Sequence, residues 1–341
     1  MGRLIIHIGT HKTATTSIQR GLSRNRQALL ERGVFYPDYD LIGAKGHYAH
    51  IGIANAFSKA HPDMSREQAI RFFAEVSRRA ADYDVTILSA EAFFRHIDLT
   101  KGGNTRKIPG QPEPYWEARQ AYINDLRHHF DHDNIEIVMA VRRQVDYGMS
   151  LYQEHVKTSR YNANFATFRE NHWQRFDYLR QARAWREGFG ILRLLRFEDL
   201  VQSEDVLKSF GALIDVDLSG LKAAPRENAS LPPDLVVLKR MMADSSASTN
   251  GLRELVDKIS RGSLKAMLKE MPKRSLYQDF EDMQAFHRSF SDANELLKRE
   301  FLPLLSSHEP LFPDTLKSDY LFGDSLHTEF LLHLSRHLAK N

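Results

Sequence analysis

The residues best suited to chemistry lie near the N-terminus, where Ile5 to Gln19 reads IIHIGTHKTATTSIQ. An apolar run there breaks into a loop bearing Lys12, Thr13, Thr15, Thr16 and Ser17, with His11 beside them. An ammonium group next to a series of hydroxyls makes an anion site. The elements that must position it are implied by the flanking residues. Leu4 to Ile8 has the length and apolar continuity of a buried strand, and from Ser17 onward Ile18, Leu22, Leu29 and Leu30 recur at helical spacing until Gly33 offers a left-handed stop. Strand, loop and helix in that order aim the unpaired N–H groups and the positive dipole end of the helix at the loop. A phosphate or sulfate group matches that arrangement.

A second candidate site follows a second strand. Ile135 to Val141, IEIVMAV, is apolar apart from Glu136 and runs directly into RRQVDYGMS, residues 142 to 150. The guanidinium of Arg142 at the strand end offers a permanently charged, bidentate clamp. Each site has an ordinary reading when taken alone: Ser and Thr favour helix N-termini anyway, and paired arginines are commonly solvated. Together, in this order and both at strand ends, they suit a ligand carrying two phosphate groups.

The first loop is not a Walker A loop, which needs Gly-Lys-Ser/Thr after an earlier glycine. Here Lys12 precedes the threonines and Gly9 is the only glycine. Lys12-Thr13-Ala14-Thr15-Thr16-Ser17 instead resembles the 5'-phosphosulfate loop of the sulfotransferases that use 3'-phosphoadenosine 5'-phosphosulfate (PAPS), whose common form is Lys-Thr-Gly-Thr-Thr-Ser. The departure is Ala14 in place of glycine, and a negative φ is expected there because a left-handed alanine is strained. Arg142, Asp146 and Ser150 are similar in spacing to the 3'-phosphate site of that family. Leu194 to Leu200, LLRFEDL, resembles a strand with a following Glu-Asp-Leu that recurs late in it. The likeness covers residues 4 to 200 in patches and is specific only at the two phosphate sites.

The resemblance implies PAPS as donor, its 3',5'-bisphosphate (PAP) as product, and no metal. Nucleotide-holding roles then fall to His11, Lys12, Thr13, Ala14, Thr15, Thr16, Ser17, Arg142 and Ser150. Arg226, with Asn228 and Ser230 in PRENASLPP, resembles an Asn-x-Ser segment of bacterial members expected to close over nucleotide or acceptor, although a proline-flanked turn accounts for it nearly as well. Sulfuryl transfer needs in-line placement, neutralisation of the leaving phosphate and a base for the acceptor proton. Lys12 is the candidate for neutralising the bridging oxygen. For the base, Glu91 in SAEAFF follows the strand Val85 to Ser89 and resembles the glutamate of glycan-modifying sulfotransferases. His50, with His47 in AKGHYAH, is the rival, since a histidine serves as base in the members acting on phenols and steroids. Against these stand plainer readings. Glu91 is placed to cap its own helix, and with 16 histidines in the chain any one of them is more often structural. His128 and His132 have metal-compatible helical spacing but no evident further ligand, so no metal site is assigned.

Bulk properties narrow the classes without choosing among them. The 341 residues are 42% hydrophobic and 27% charged, ordinary for a soluble globular protein, and suffice for a large core. Cysteine is absent, which excludes disulfides and thiolate chemistry. A net charge of +3 gives no argument for nucleic acid. No run approaches the roughly 20 apolar residues of a membrane helix, and the N-terminus lacks the pattern of a secretory signal. A cytoplasmic protein is expected.

Alternating strands and helices predict an α/β fold, a mostly parallel central sheet with helices on both faces, similar to the three-layer sandwich of P-loop NTPases. Strands are expected at 4–8, 85–89, 135–141 and 191–197, with a weaker one at 34–36, and helices at 66–82 and 116–130. Lys101 to Pro114, rich in glycine and proline, reads as a long loop near the ligand crevice. A single domain is expected, with residues 1–230 as nucleotide-binding core and 231–341 as a mainly helical extension. Helices are predicted there at 235–242, 252–259, 264–271, 283–301 and 325–338. The apolar stripe of the last, Leu326, Phe330, Leu334 and Leu338, is expected to pack on the protein itself, with a dimer contact as the alternative.

Two rival functions are open at this stage: a small-molecule or nucleoside kinase with an atypical P-loop, and a non-catalytic binder of nucleotides or sulfated glycans. A kinase needs Gly-Lys-Ser/Thr and a magnesium carboxylate, whereas a binder needs neither Lys12 nor a base. The acceptor, a small molecule or saccharide, is not identified by any motif; carbohydrate is the class the resemblance favours.

Overall fold

In the computed structural model, which describes residues 2–58, 64–97, 113–224, 231–243, 251, 254, 271 and 273–338, five strands form one parallel sheet. They are β1 (Arg3–Gly9), β2 (Val34–Phe35), β3 (Val85–Ser89), β4 (Ile135–Val141) and β5 (Ile191–Arg196), in the order β2-β3-β1-β4-β5. The helices are α1 (Thr15–Arg24), α2 (Arg26–Leu30), α3 (Ile51–Ser58), α4 (Arg66–Ala80), α5 (Ala92–Arg95), α6 (Glu113–His128), α7 (Gln144–Thr158) and α8 (Phe165–Asn171). They continue with α9 (Tyr178–Phe189), α10 (Phe197–Leu200), α11 (Val206–Leu213), α12 (Pro233–Met241), α13 (Phe280–Arg288), α14 (Ser291–Phe301) and α15 (Thr328–Leu338). Two short strands, β6 (Arg274–Ser275) and β7 (Leu321–Phe322), pair in parallel. None of the helices among the described residues is long and apolar enough to cross a membrane.

The chain forms two compact units that do not follow chain order. The first comprises Met1–Arg142, Asp177–Glu227 and Asp292–Phe312, and carries the five-stranded sheet; the second comprises Arg143–Phe176, Asn228–Ser291 and Pro313–Asn341.

In the first unit β4 is buried along its whole length, which requires cover on both faces and explains its unbroken apolar sequence. One face holds a core of Ile5, Ile18, Leu22, Ile87, Val138 and Phe210, bringing α1 and α11 against the sheet. On α9, which packs against β4 and α6, Trp185 is fully buried. The one charge in β4 is balanced by its neighbours: Glu136 accepts from Arg3 of β1 at 3.2 Å and from Arg193 of β5 at 2.5 Å, so its buried carboxylate is not left alone.

Three boundaries differ from the expected ones. The helix after the first loop ends at Asn25, whose side-chain amide donates to Gly21 O and Lys222 O while its oxygen accepts from Lys222 N–H, so the chain restarts as α2. Gly33 does sit at φ +72, as a left-handed stop should. The helix expected over 283–301 is two helices, α13 and α14, separated at Ser289 and Phe290. The predicted loop 101–114 lies outside the described residues except at Glu113 and Pro114, which open α6, and the helices predicted at 252–259 and 264–271 lie almost wholly outside them.

The second unit has an aromatic centre. Arg169 lies over the rings of Phe165, Tyr277 and Phe286 at 5.2, 4.7 and 5.0 Å and pairs with Asp282 at 2.9 Å. The buried ammonium of Lys239 donates to Val156 O and Lys157 O at the C-terminal turn of α7, where the helix dipole favours a cation. On α15, Phe330 is fully buried.

Candidate active site

The sheet places its reactive loops at the carboxyl ends of its strands, and β1 and β4 are neighbours whose onward connections run to opposite edges. Ligands of parallel sheets bind at such a point. The register there shifts by a bulge, with His7 opposite Val138 and Gly9 opposite Met139, which turns the chain out of β1. Thr10 N–H then donates to Ala140 O at 2.7 Å, tying the loop to β4, and Thr13 Oγ1 donates to Thr10 O at 2.7 Å. The Thr13 hydroxyl therefore holds the loop together.

Ala14 is left-handed, with φ +63, against the expected negative value, and Lys12 is left-handed too, with φ +62. The reason is geometric. Passing from a left-handed Ala14 into the right-handed Thr15 curls successive N–H groups into an anion-binding concavity, and a uniformly right-handed loop would not. Ala14 accepts at its carbonyl from Ser17 N–H and Ile18 N–H, at 3.0 and 3.1 Å. The first N–H groups of α1, those of Thr15 and Thr16, precede these bonds and have no partner within the helix. No side chain caps α1 and its first turn holds no acid. Strain at Ala14 gives a test: Ala14→Gly relieves about 1 to 2 kcal/mol of left-handed strain and loses roughly 0.4 to 1 kcal/mol through the freer unfolded chain. A small net rise in the urea midpoint is expected; a fall would mean the alanine methyl packs favourably.

Arg142 leaves β4 beside this loop. Its Nη1 donates to Lys12 O at 3.4 Å, its guanidinium lies 4.8 Å from the centre of the Phe197 ring, and its carbonyl accepts from Tyr178 Oη at 2.8 Å. Among the described residues it pairs with no carboxylate. Phe197 was not singled out from sequence as a ligand-site residue, although it stands in LLRFEDL immediately after β5; an aromatic at a strand end was the available signal. Ser150 is buried in α7, in the second unit, and Asp146 there accepts from Arg143 Nε at 2.7 Å. Arg226, Asn228 and Ser230 lie outside the described residues.

Glu91 stands at the N-terminal end of α5 but makes no capping bond to that helix. Its Oε2 accepts from Gln19 Nε2 at 2.8 Å. Gly9 explains how it comes so near the loop: a Cβ at Gly9 would meet Glu91 Cβ at 2.8 Å, and φ there is +85. His50, the rival base, has both ring nitrogens turned to the backbone. It is buried, its Nδ1 accepts from Ser89 N–H at 2.9 Å and its Nε2 donates to Pro37 O at 3.1 Å, leaving neither nitrogen for an acceptor. Burial pushes its pKa down to about 4. His47 is exposed, with Nδ1 turned to the backbone of Ala49. No group of three or more His, Asp or Glu side chains that could hold a metal ion is gathered among the described residues.

The segment around His47 is clamped beside β3, with His50 N–H on Ser89 O and Arg26 Nη2 on His47 O, each at 2.9 Å. It borders a cavity of about 430 Å³ lined by Tyr39, Lys45, His47, Ile51 and Met64 among others. Its lining combines the charged Lys45 and the imidazole of His47 with the apolar side chains of Ile51 and Met64.

No protein-family model matches the chain, and no curated protein matches it. Among solved structures, a sulfotransferase from Alicyclobacillus acidocaldarius is similar at 14% identity and a TM-score of 0.37, over 75% of this chain and 96% of that one.

Proposed function

We propose that the protein is a sulfotransferase that moves a sulfuryl group from PAPS to a hydroxyl or amine, with a carbohydrate the favoured acceptor. One observation carries this reading: the concave loop of Lys12 to Ser17, the guanidinium of Arg142, which meets no carboxylate among the described residues, and the carboxylate of Glu91 lie at the carboxyl ends of β1, β4 and β3. The donor set fits a nucleotide with phosphates at both ends. Uncapped N–H groups of α1 and the hydroxyls of Thr15, Thr16 and Ser17 would hold the 5' side, and Arg142, over the ring of Phe197, the 3'-phosphate. When bound, PAPS supplies an electrophilic sulfuryl group on a phosphate leaving group.

The chain's own residues then do the following. Glu91 takes the proton as the acceptor oxygen or nitrogen bonds to sulfur, and Lys12 neutralises the bridging oxygen, which receives the electron pair of the breaking sulfur–oxygen bond. The cavity edged by Lys45 and His47 would admit the acceptor beside the end of β3.

Calorimetric titration with PAP and with adenosine diphosphate, first without metal and then with magnesium, tests the reading. PAP is expected to bind independently of magnesium, and Arg142→Ala to weaken it by about 10- to 100-fold, as loss of a charge-assisted phosphate contact does. A magnesium-dependent preference for the diphosphate would move the protein to the kinases.

A further inference from the structure

Glu91 is joined to the interior of the first unit by a chain of buried polar groups that the proposed phosphate sites do not use. Gln19 of α1 lies 1% exposed, and its Nε2 donates to Glu91 Oε2 at 2.8 Å and to Ser89 Oγ at 3.3 Å. Ser89 Oγ lies in turn 2.9 Å from His7 Nδ1, and both residues are fully buried. Parallel pairing of β1 with β3 sets His7 directly opposite Ser89, so the contact is built into the sheet register.

The orientation of Gln19 follows from elementary valence. A carboxylate only accepts, so Gln19 must turn its NH₂ toward Glu91, which resolves the orientation of its amide. The second N–H of that NH₂ goes to Ser89 Oγ. Ser89 Oγ then shares a bond with His7 Nδ1, the hydroxyl donating to an Nδ1 lone pair in one imidazole tautomer and accepting from Nδ1–H in the other. Burial keeps His7 neutral at ordinary pH, with its pKa lowered to about 4. Its Nε2 has no hydrogen-bond partner, and the ring packs 5.0 Å from that of Phe210. A reversed Gln19 amide would set its oxygen against the Glu91 carboxylate and break the link to it.

Resting on the sulfotransferase reading, we infer that Gln19, oriented by Ser89 and His7, is a positioning residue that holds the Glu91 carboxylate where it takes the acceptor proton. Gln19 lies two residues beyond Ser17, on the helix whose N-terminus forms the phosphate cradle, so donor site and base are set by one rigid element. α1 transmits the spacing between them.

The test separates this inference from the function it rests on. Crystal structures of Gln19→Leu and Ser89→Ala should show the Glu91 carboxylate turned from its present position; an unmoved carboxylate in both overturns the positioning role whatever the protein catalyses. In steady-state sulfuryl transfer, Gln19→Leu should lower kcat by about 10- to 100-fold, as misplacement of a reacting group does, with PAP affinity and acceptor KM within about twofold of wild type and the melting temperature nearly unchanged. Ser89→Ala should give a smaller loss of the same kind. A displaced carboxylate in a protein whose wild type neither binds PAP nor transfers sulfuryl would keep the positioning chain and sink the sulfotransferase reading. Unchanged kcat in Gln19→Leu, alongside an active wild type, would overturn the inference.

Discussion

Lys12→Ala is expected to lower kcat for sulfuryl transfer by about 10²- to 10³-fold, the loss typical when one charge-stabilising donor is removed from a transition state. The substitution is clean because the backbone at residue 12 is left-handed, φ +62, and alanine bears the same kind of strain as lysine there. The loop should keep its shape, since Thr13 to Thr10 and Thr10 to Ala140 hold it through bonds that the lysine side chain does not make. PAP affinity should fall far less than kcat, because negative charge on the bridging oxygen develops as the bond breaks. Stopped-time assays with PAPS, paired with PAP calorimetry, read both quantities. Equal losses in affinity and in kcat/KM with kcat intact would make Lys12 a ground-state binder only.

Glu91→Gln is the second large effect. It should reduce kcat by about 10²- to 10⁴-fold, the range for loss of a general base, while leaving PAP binding and folding close to wild type. The isosteric amide can still offer an oxygen to Gln19, so the surrounding chain of hydrogen bonds is retained and only the proton acceptor is lost. Partial recovery of Glu91→Ala activity by added formate would identify the missing group as a carboxylate. His50→Gln is the informative control. Its two nitrogens are engaged by Ser89 N–H and Pro37 O, so it should cost stability and leave kcat largely intact. A folded His50→Gln protein without turnover, beside an active Glu91→Gln, would reverse the assignment of the base.

Tying donor loop and base to α1 has a physical logic. A carboxylate that must meet the acceptor within hydrogen-bond reach cannot be left to a mobile side chain, and Glu91 has no cap interaction to steady it. In the proposed reaction Gln19 would supply that constraint from the same helix, α1, whose first N–H groups are proposed to hold the anion. Gly9 permits the approach, since any side chain at that position would collide with Glu91.

Much of this was legible in local pattern. The strands β1, β3, β4 and β5 are short, mainly apolar runs bounded by loops, and their residues appear within a position or two of where hydrophobic continuity places them, because strands inside a parallel sheet, β4 above all, are buried on both faces. The sequence also placed the loop from Lys12 to Ser17 and the guanidinium of Arg142 directly after strands, and the structure has them at the ends of β1 and β4. Asn25 and the break at Ser289 and Phe290 were not readable, since helical periodicity continues across both and only a contact with Lys222, nearly 200 residues away, gives Asn25 its reason to interrupt.

Backbone handedness and the partners of each titratable group were decided elsewhere. Nothing in Ala14 announces φ +63, because the cost of a left-handed alanine is local whereas the gain, a curled row of N–H groups, exists only once β1, the loop and α1 are assembled. Likewise Glu91 and His50 look equally suited to proton transfer as letters in a chain. In the fold both nitrogens of His50 meet backbone groups, whereas the Glu91 carboxylate accepts from Gln19, drawn from a helix 72 residues earlier. Residue types and short spacings determine which chemistry is available; only tertiary packing, which chooses hydrogen-bond partners across long stretches of chain, determines the surroundings each group is given.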